Sequence, residues 1–284
     1  SLKLLSDNSL CIVNNEIYIA LEEDKTYKHT LKLFKYNRSS SSWDQVGNDI
    51  ISNIRSIKKI KDKIYFYGYN ISSTPSFYEV YSYDINSLSI QNRGNKFEHR
   101  IVDINEDSNN GLYILSDYEN GSLYKLNSET NEWEKIKDNF TIETNVKPLN
   151  SNLLFVNSVP YVGFITDTKK SALVKLSNNL WEKVGSDYFE DECYYYSDTT
   201  LKIYHINNKL YFLNDQRGEN NTMYGVTYSY DNQWVKLGGT FGIASNIQSI
   251  VFDNTENLIY GLYLDKKTEI FKVIKFDTQK DIDF

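Results

Sequence analysis

The chain has 284 residues and a formal net charge of −7, and its one basic run is the short Lys58–Lys63 segment, so a nucleic-acid partner is excluded. No apolar run reaches the roughly 18 residues of a membrane-spanning helix, which excludes insertion by a helix. Two cysteines, Cys11 and Cys193, are too few for a disulfide framework and lack the spacing of a zinc site.

Tyrosine occurs 24 times and phenylalanine 14 times, against three prolines, and aromatic side chains favour pleated, half-buried surfaces. The predicted elements are accordingly strands. The first copy of a repeated unit opens with LCIVNN (10–15) and EIYIA (16–20), two runs joined by asparagines that tolerate a tight turn. A third run, LKLFKY (31–36), and a fourth, WDQVG (43–47), follow. The second copy reads KIYFY (63–67) and YEVYSY (78–83); its tryptophan position falls on Ile90, and Gly94 keeps the glycine four residues later. The third has GLYIL (111–115), SLYKLN (122–127) and WEKIK (133–137). The fourth has VPYVG (159–163), ALVKLS (172–177) and WEKVG (181–185). The fifth has KLYFL (209–213), GVTYSY (225–230) and WVKLGG (234–239), and the sixth has LIYGL (258–262) and IFKVIKF (270–276).

The aligned tyrosines are Tyr18, Tyr65, Tyr113, Tyr161, Tyr211 and Tyr260, separated by 47, 48, 48, 50 and 49 residues. Four short antiparallel strands in a unit of this length, repeated six times, predict an all-β, six-bladed β-propeller. The predicted blades are centred near 9–47, 54–94, 101–137, 151–185, 200–239 and 248–284 plus 1–6, in one domain over 1–284. Aromatics fill the interfaces between blades, and every tryptophan is taken for that packing. The sixth copy ends without a tryptophan strand, so Leu2 to Leu5 are expected to close the last blade as its fourth strand.

An aromatic residue followed by a tryptophan resembles the Kelch repeat: Phe34 or Tyr36 with Trp43, Tyr124 with Trp133, and Tyr228 or Tyr230 with Trp234. The resemblance covers the whole chain and implies a propeller. It departs at the Gly-Gly pair that ends the second Kelch strand, where this chain has Gly68 once and residues such as Leu115-Ser116 elsewhere. The chain therefore resembles a divergent Kelch-like propeller, and the departure weakens transfer of function more than transfer of fold.

Three histidines, His29, His99 and His205, have no metal-ligand partner at close spacing, and phosphate loops and a GxSxG elbow are absent. No catalytic residue, metal or cofactor is therefore expected. What remains is surface. The loops at 68–79, 116–122, 165–172 and 214–225 share one face of a propeller and mix aromatic and polar residues, a blend suited to recognition. Tyr69, Phe77, Tyr118, Arg217 and Tyr224 are the expected contacts. The expected function is a monomeric, non-catalytic binding module or scaffold that holds a protein partner on this face. A lectin-like module binding glycans is the first alternative, and an enzyme with its site at the mouth of the channel is the second. Composition carries no signal for the compartment.

Overall fold

The computed structural model describes residues 2–4, 10–13, 16–25, 28–51, 53–70, 76–142, 148–167, 171–185, 201–206, 208–217, 223–230, 233–241, 247–253, 258–265 and 270–277. These residues form antiparallel sheets and one short 3-10 turn, as the alternating apolar and aromatic runs predict. The first sheet holds β1 (Leu2–Leu4), β2 (Leu10–Val13), β3 (Glu16–Lys25), β4 (Lys28–Asn37) and β5 (Ser42–Ile51). The second holds β6 (Asn53–Ile60), β7 (Lys63–Asn70), β8 (Phe77–Asp84) and β9 (Ser89–Asn92), in that order. The third holds β10 (Ile101–Glu106), β11 (Leu112–Ser116), β12 (Ser122–Asn127) and β13 (Glu132–Lys137). The fourth holds β14 (Pro148–Val156), β15 (Val159–Thr166), β16 (Ser171–Ser177) and β17 (Leu180–Lys183). The fifth holds β18 (Leu201–Ile206), β19 (Lys209–Arg217), β20 (Met223–Tyr230) and β21 (Trp234–Phe241). The last described sheet holds β22 (Ile247–Asp253), β23 (Leu258–Asp265) and β24 (Ile270–Asp277).

The aligned tyrosines sit in β3, β7, β11, β15, β19 and β23, and Tyr18, Tyr65 and Tyr211 are buried there. The chain divides into two compact units. The first takes in residues 1–106, 110–118 and 123–136; the second takes in 107–109, 119–122 and 137–284. In the first unit, Val13, Tyr18, Ala20, Leu33, Ile64 and Tyr83 pack the first sheet on the second. Tyr65, Tyr67, Phe97, Ile104 and Tyr124 pack the second on the third. In the second unit, Ile165, Leu173, Ile203 and Phe212 do the same for the fourth and fifth sheets.

The N-terminal strand departs from expectation. β1 pairs antiparallel with β3, Leu2 opposite Glu23 and Leu4 opposite Leu21, and so belongs to the first sheet. The reason lies in strand length. β2 covers only Glu16 to Ile19 of the ten-residue β3, which leaves the Leu21–Glu23 edge to be capped by another strand. Residues 278–284, placed in the last blade by the sequence, lie outside the described residues.

The tryptophans reveal how successive sheets interlock. Gly94 lies near the start of the connection after β9 with φ +84°, and the Trp133 indole of the next sheet lies where a Cβ would stand. Gly185 and Trp234 repeat the arrangement in the second unit, where the Trp234 indole N–H donates to the Val184 carbonyl at 2.7 Å. Ile90, in the tryptophan position of the second sheet, fills the equivalent place against Gly47. Trp43, in the first sheet, is 43% exposed and packs on Tyr36 of its own sheet.

Candidate active site

One end of the second and third sheets gathers titratable and aromatic side chains, all within the first unit. Antiparallel pairing assembles it. Ile101 opens β10 opposite Ser116, the last residue of β11. The residue before one and the residue after the other, Arg100 and Asp117, are thereby brought together from 17 positions apart. The guanidinium donates to the Asp117 carboxylate at 3.4 Å, a long contact for a charged pair. Burial raises the Asp117 pKa above the usual carboxylate value, and the nearby Arg100 and His99 charges only partly oppose the rise.

The connection between β9 and β10 supplies the aromatic floor. Phe97 exchanges two backbone hydrogen bonds with Tyr78, at 2.7 and 3.0 Å, which fixes this connection on the edge of the second sheet. His99 then meets Phe97 edge-on at 5.6 Å and lies flat on Tyr118, with ring centroids 3.6 Å apart and an angle of 6°. Tyr118 is held in turn by the Ser116 hydroxyl, which accepts its backbone N–H. Lys96 stands 4.1 Å above the Phe77 ring, a cation–π contact that leaves the ammonium at the same end of the sheets.

Two other polar groupings in this unit are differently built. Lys58 reaches both oxygens of buried Asp103 at 2.8 and 2.9 Å. Glu106, 5% exposed, accepts the Tyr65 hydroxyl and pairs with Lys61. Both carboxylates are closely satisfied and enclosed, as structural ion pairs are. Among the described residues, Asp117 alone combines a half-open position, a loose partner and a raised pKa, the combination that marks functional carboxylates.

The structure places the five predicted contacts unevenly. Tyr118 is in the site and is 42% exposed. Tyr69 is half-buried at the end of β7, with its ring 5.1 Å from Tyr78. Phe77 is 6% exposed, so its ring serves as the seat for Lys96 rather than as an open surface. Arg217 and Tyr224 lie in β19 and β20, in segments read from sequence as loop; their side chains lie outside the described residues. His99, Arg100 and Asp117 were missed. The available signal was positional: charged residues directly flank two strands that pair at Ile101 and Ser116. Among the described residues, no group of three or more His, Cys, Asp or Glu side chains is placed to hold a metal ion.

No family model matches the sequence, and no curated protein matches it. Solved structures do. A candidate 6-phosphogluconolactonase from Bacteroides fragilis is similar over 94% of this chain and 84% of its own, with 11% identity and a TM-score of 0.58. The β-propeller domain of the Trilobed protease from Pyrococcus furiosus is similar over 98% and 95%, with 11% identity and a TM-score of 0.51. The acylaminoacyl peptidase of Pyrococcus horikoshii is similar over 97% of this chain and 45% of its own, with 10% identity and a TM-score of 0.57. At these identities the likeness establishes the fold: the chain is an all-β protein of propeller type, and its neighbours include hydrolase-like enzymes. The expectation of a non-catalytic binding module is corrected in that the neighbours do not support it: they are mostly named as enzymes, among them candidate 6-phosphogluconolactonases and an acylaminoacyl peptidase. An enzyme was only the second alternative from sequence because none of the familiar catalytic motifs is present, and Arg100 and Asp117 meet only through strand pairing.

Proposed function

We propose that the chain is a hydrolase of acyl bonds, built on a single six-bladed propeller of divergent Kelch type, with Asp117 as its acid–base group. The six-fold repeat supports the propeller, and likenesses to a candidate lactonase and a peptidase support the reaction class. The observation that carries the reading is Asp117 itself: a half-buried carboxyl with a raised pKa beside Arg100, His99 and Tyr118.

On this reading the Asp117 carboxylate takes a proton from water as the water oxygen attacks the substrate carbonyl carbon. The carbonyl π pair moves onto its oxygen. When the tetrahedral centre collapses, the bond to the leaving oxygen or nitrogen breaks and Asp117 returns the proton to that atom. A carboxyl whose pKa is shifted toward the working pH is a better proton carrier in both steps. The Tyr118–His99 stack forms a rigid wall against which a substrate is oriented. The test is a panel of chromogenic lactones, esters and peptides. Asp117→Asn is expected to reduce any activity found by about 100-fold or more. Activity that survives this substitution unchanged removes Asp117 from the chemistry.

A further inference from the structure

We propose that Arg100 anchors an anionic group, a carboxylate or a phosphate, on a cyclic substrate whose ring lies along Tyr118, and that this capture draws the guanidinium away from Asp117. The inference deepens the hydrolase reading and rests on it for the location of the site. Three observations carry it. Arg100 is 51% exposed and touches Asp117 through one nitrogen at 3.4 Å, while a guanidinium has five N–H donors. Lys58, by contrast, grips both oxygens of its buried carboxylate at normal distances. A cation committed to structure is held as Lys58 is; Arg100 retains donors in a fork that matches a carboxylate or phosphate edge. Tyr118, exposed and rigidly stacked on His99, supplies a flat surface in the same turn as Asp117. Lys96 adds a second positive charge, positioned by Phe77 in the connection that leads to Arg100.

The consequence is a coupling. Asp117 owes part of its residual acidity to Arg100. An incoming anion competes with Asp117 for that cation, and once Arg100 turns to the ligand, Asp117 becomes a stronger base. Substrates without the anion leave the guanidinium on Asp117 and meet a weaker base. Discrimination would then act on the chemical step as well as on binding.

The test uses benzoate, phenyl phosphate and uncharged benzamide, followed by ligand-observed NMR titration of the whole chain. The two anions are expected to bind about tenfold or more tightly than benzamide. Tighter binding of benzoate or of phenyl phosphate identifies which anion the site prefers, and either supports the proposal. Arg100→Gln should abolish the difference between anions and benzamide, and Tyr118→Ala should weaken all three. Asp117→Asn should tighten anion binding by about two- to fivefold, because a competing negative charge is removed; a structural role for the pair would not produce that gain. Benzamide binding as well as the anions, an anion preference that survives Arg100→Gln, or weaker anion binding in Asp117→Asn overturns the inference. Hydrolysis that fails while the anion preference stands removes only the catalytic reading. Asp117-dependent hydrolysis without an anion preference removes only this one.

Discussion

Gly94→Ala tests the interlock between sheets most directly. The added methyl would stand 2.4 Å from Nε1 of Trp133, 2.6 Å from Cε2 and 2.9 Å from Cζ2. The residue also has φ +84°, where a side chain is strained whatever the space around it. The backbone penalty is about 1–2 kcal/mol, and forcing the indole outward adds about 1–3 kcal/mol. The neighbourhood resists relaxation, because the Gly94 N–H is held by the Asn131 side chain at 3.0 Å and Asn95 N–H donates to the Asn131 carbonyl at 2.8 Å. A loss of about 2–5 kcal/mol is expected in urea denaturation followed by circular dichroism. The decisive measurement repeats the substitution in a Trp133→Ala background. With the indole gone, only the backbone share of about 1–2 kcal/mol should remain. Equal losses in both backgrounds, or a loss below about 0.5 kcal/mol in the first, would refute the reasoning.

Three further outcomes are expected. Tyr83 is fully buried, and its hydroxyl has no hydrogen-bond partner among the described residues, so Tyr83→Phe should leave stability unchanged or raise it by about 1 kcal/mol, read by thermal melting. Burial pushes the Cys11 thiol up to about 12, so in a Cys193→Ser background the native protein should react with a thiol reagent at pH 8 far more slowly than the urea-unfolded chain. Asp117 has a pKa raised above its ordinary 3.8, so ionising it disfavours the folded state. Wild type should therefore lose stability relative to Asp117→Asn as pH rises from 3.8 through the raised value, with no such loss below 3.8; melting curves of the two proteins that run parallel through this range would contradict it.

The strands were legible because each carries a dense aromatic or β-branched run at a fixed interval, and pleated pairing needs little more. The second-strand tyrosines and the substitution of Ile90 for tryptophan were readable from spacing alone. Placement of the N-terminal strand was not, because it depended on β3 running past the end of β2, and strand ends are poorly encoded locally. The glycine four residues after Trp43, Trp181, Trp234 and Ile90 was visible as a pattern, but the role of Gly94 and Gly185 emerged only when the indole of the following sheet was seen beside each. The site was legible through Tyr118 and Phe77 only. Arg100 and Asp117 are ordinary loop residues in the sequence, and their pairing is a product of register.

The order of glycine and indole along the chain bears on biogenesis. Gly94 precedes Trp133, and Gly185 precedes Trp234. During synthesis from the N-terminus, the glycine therefore leaves the ribosome before the indole that packs on it. At these two junctions the later strand meets a neighbour already synthesised, so less aromatic surface stays open while the chain grows.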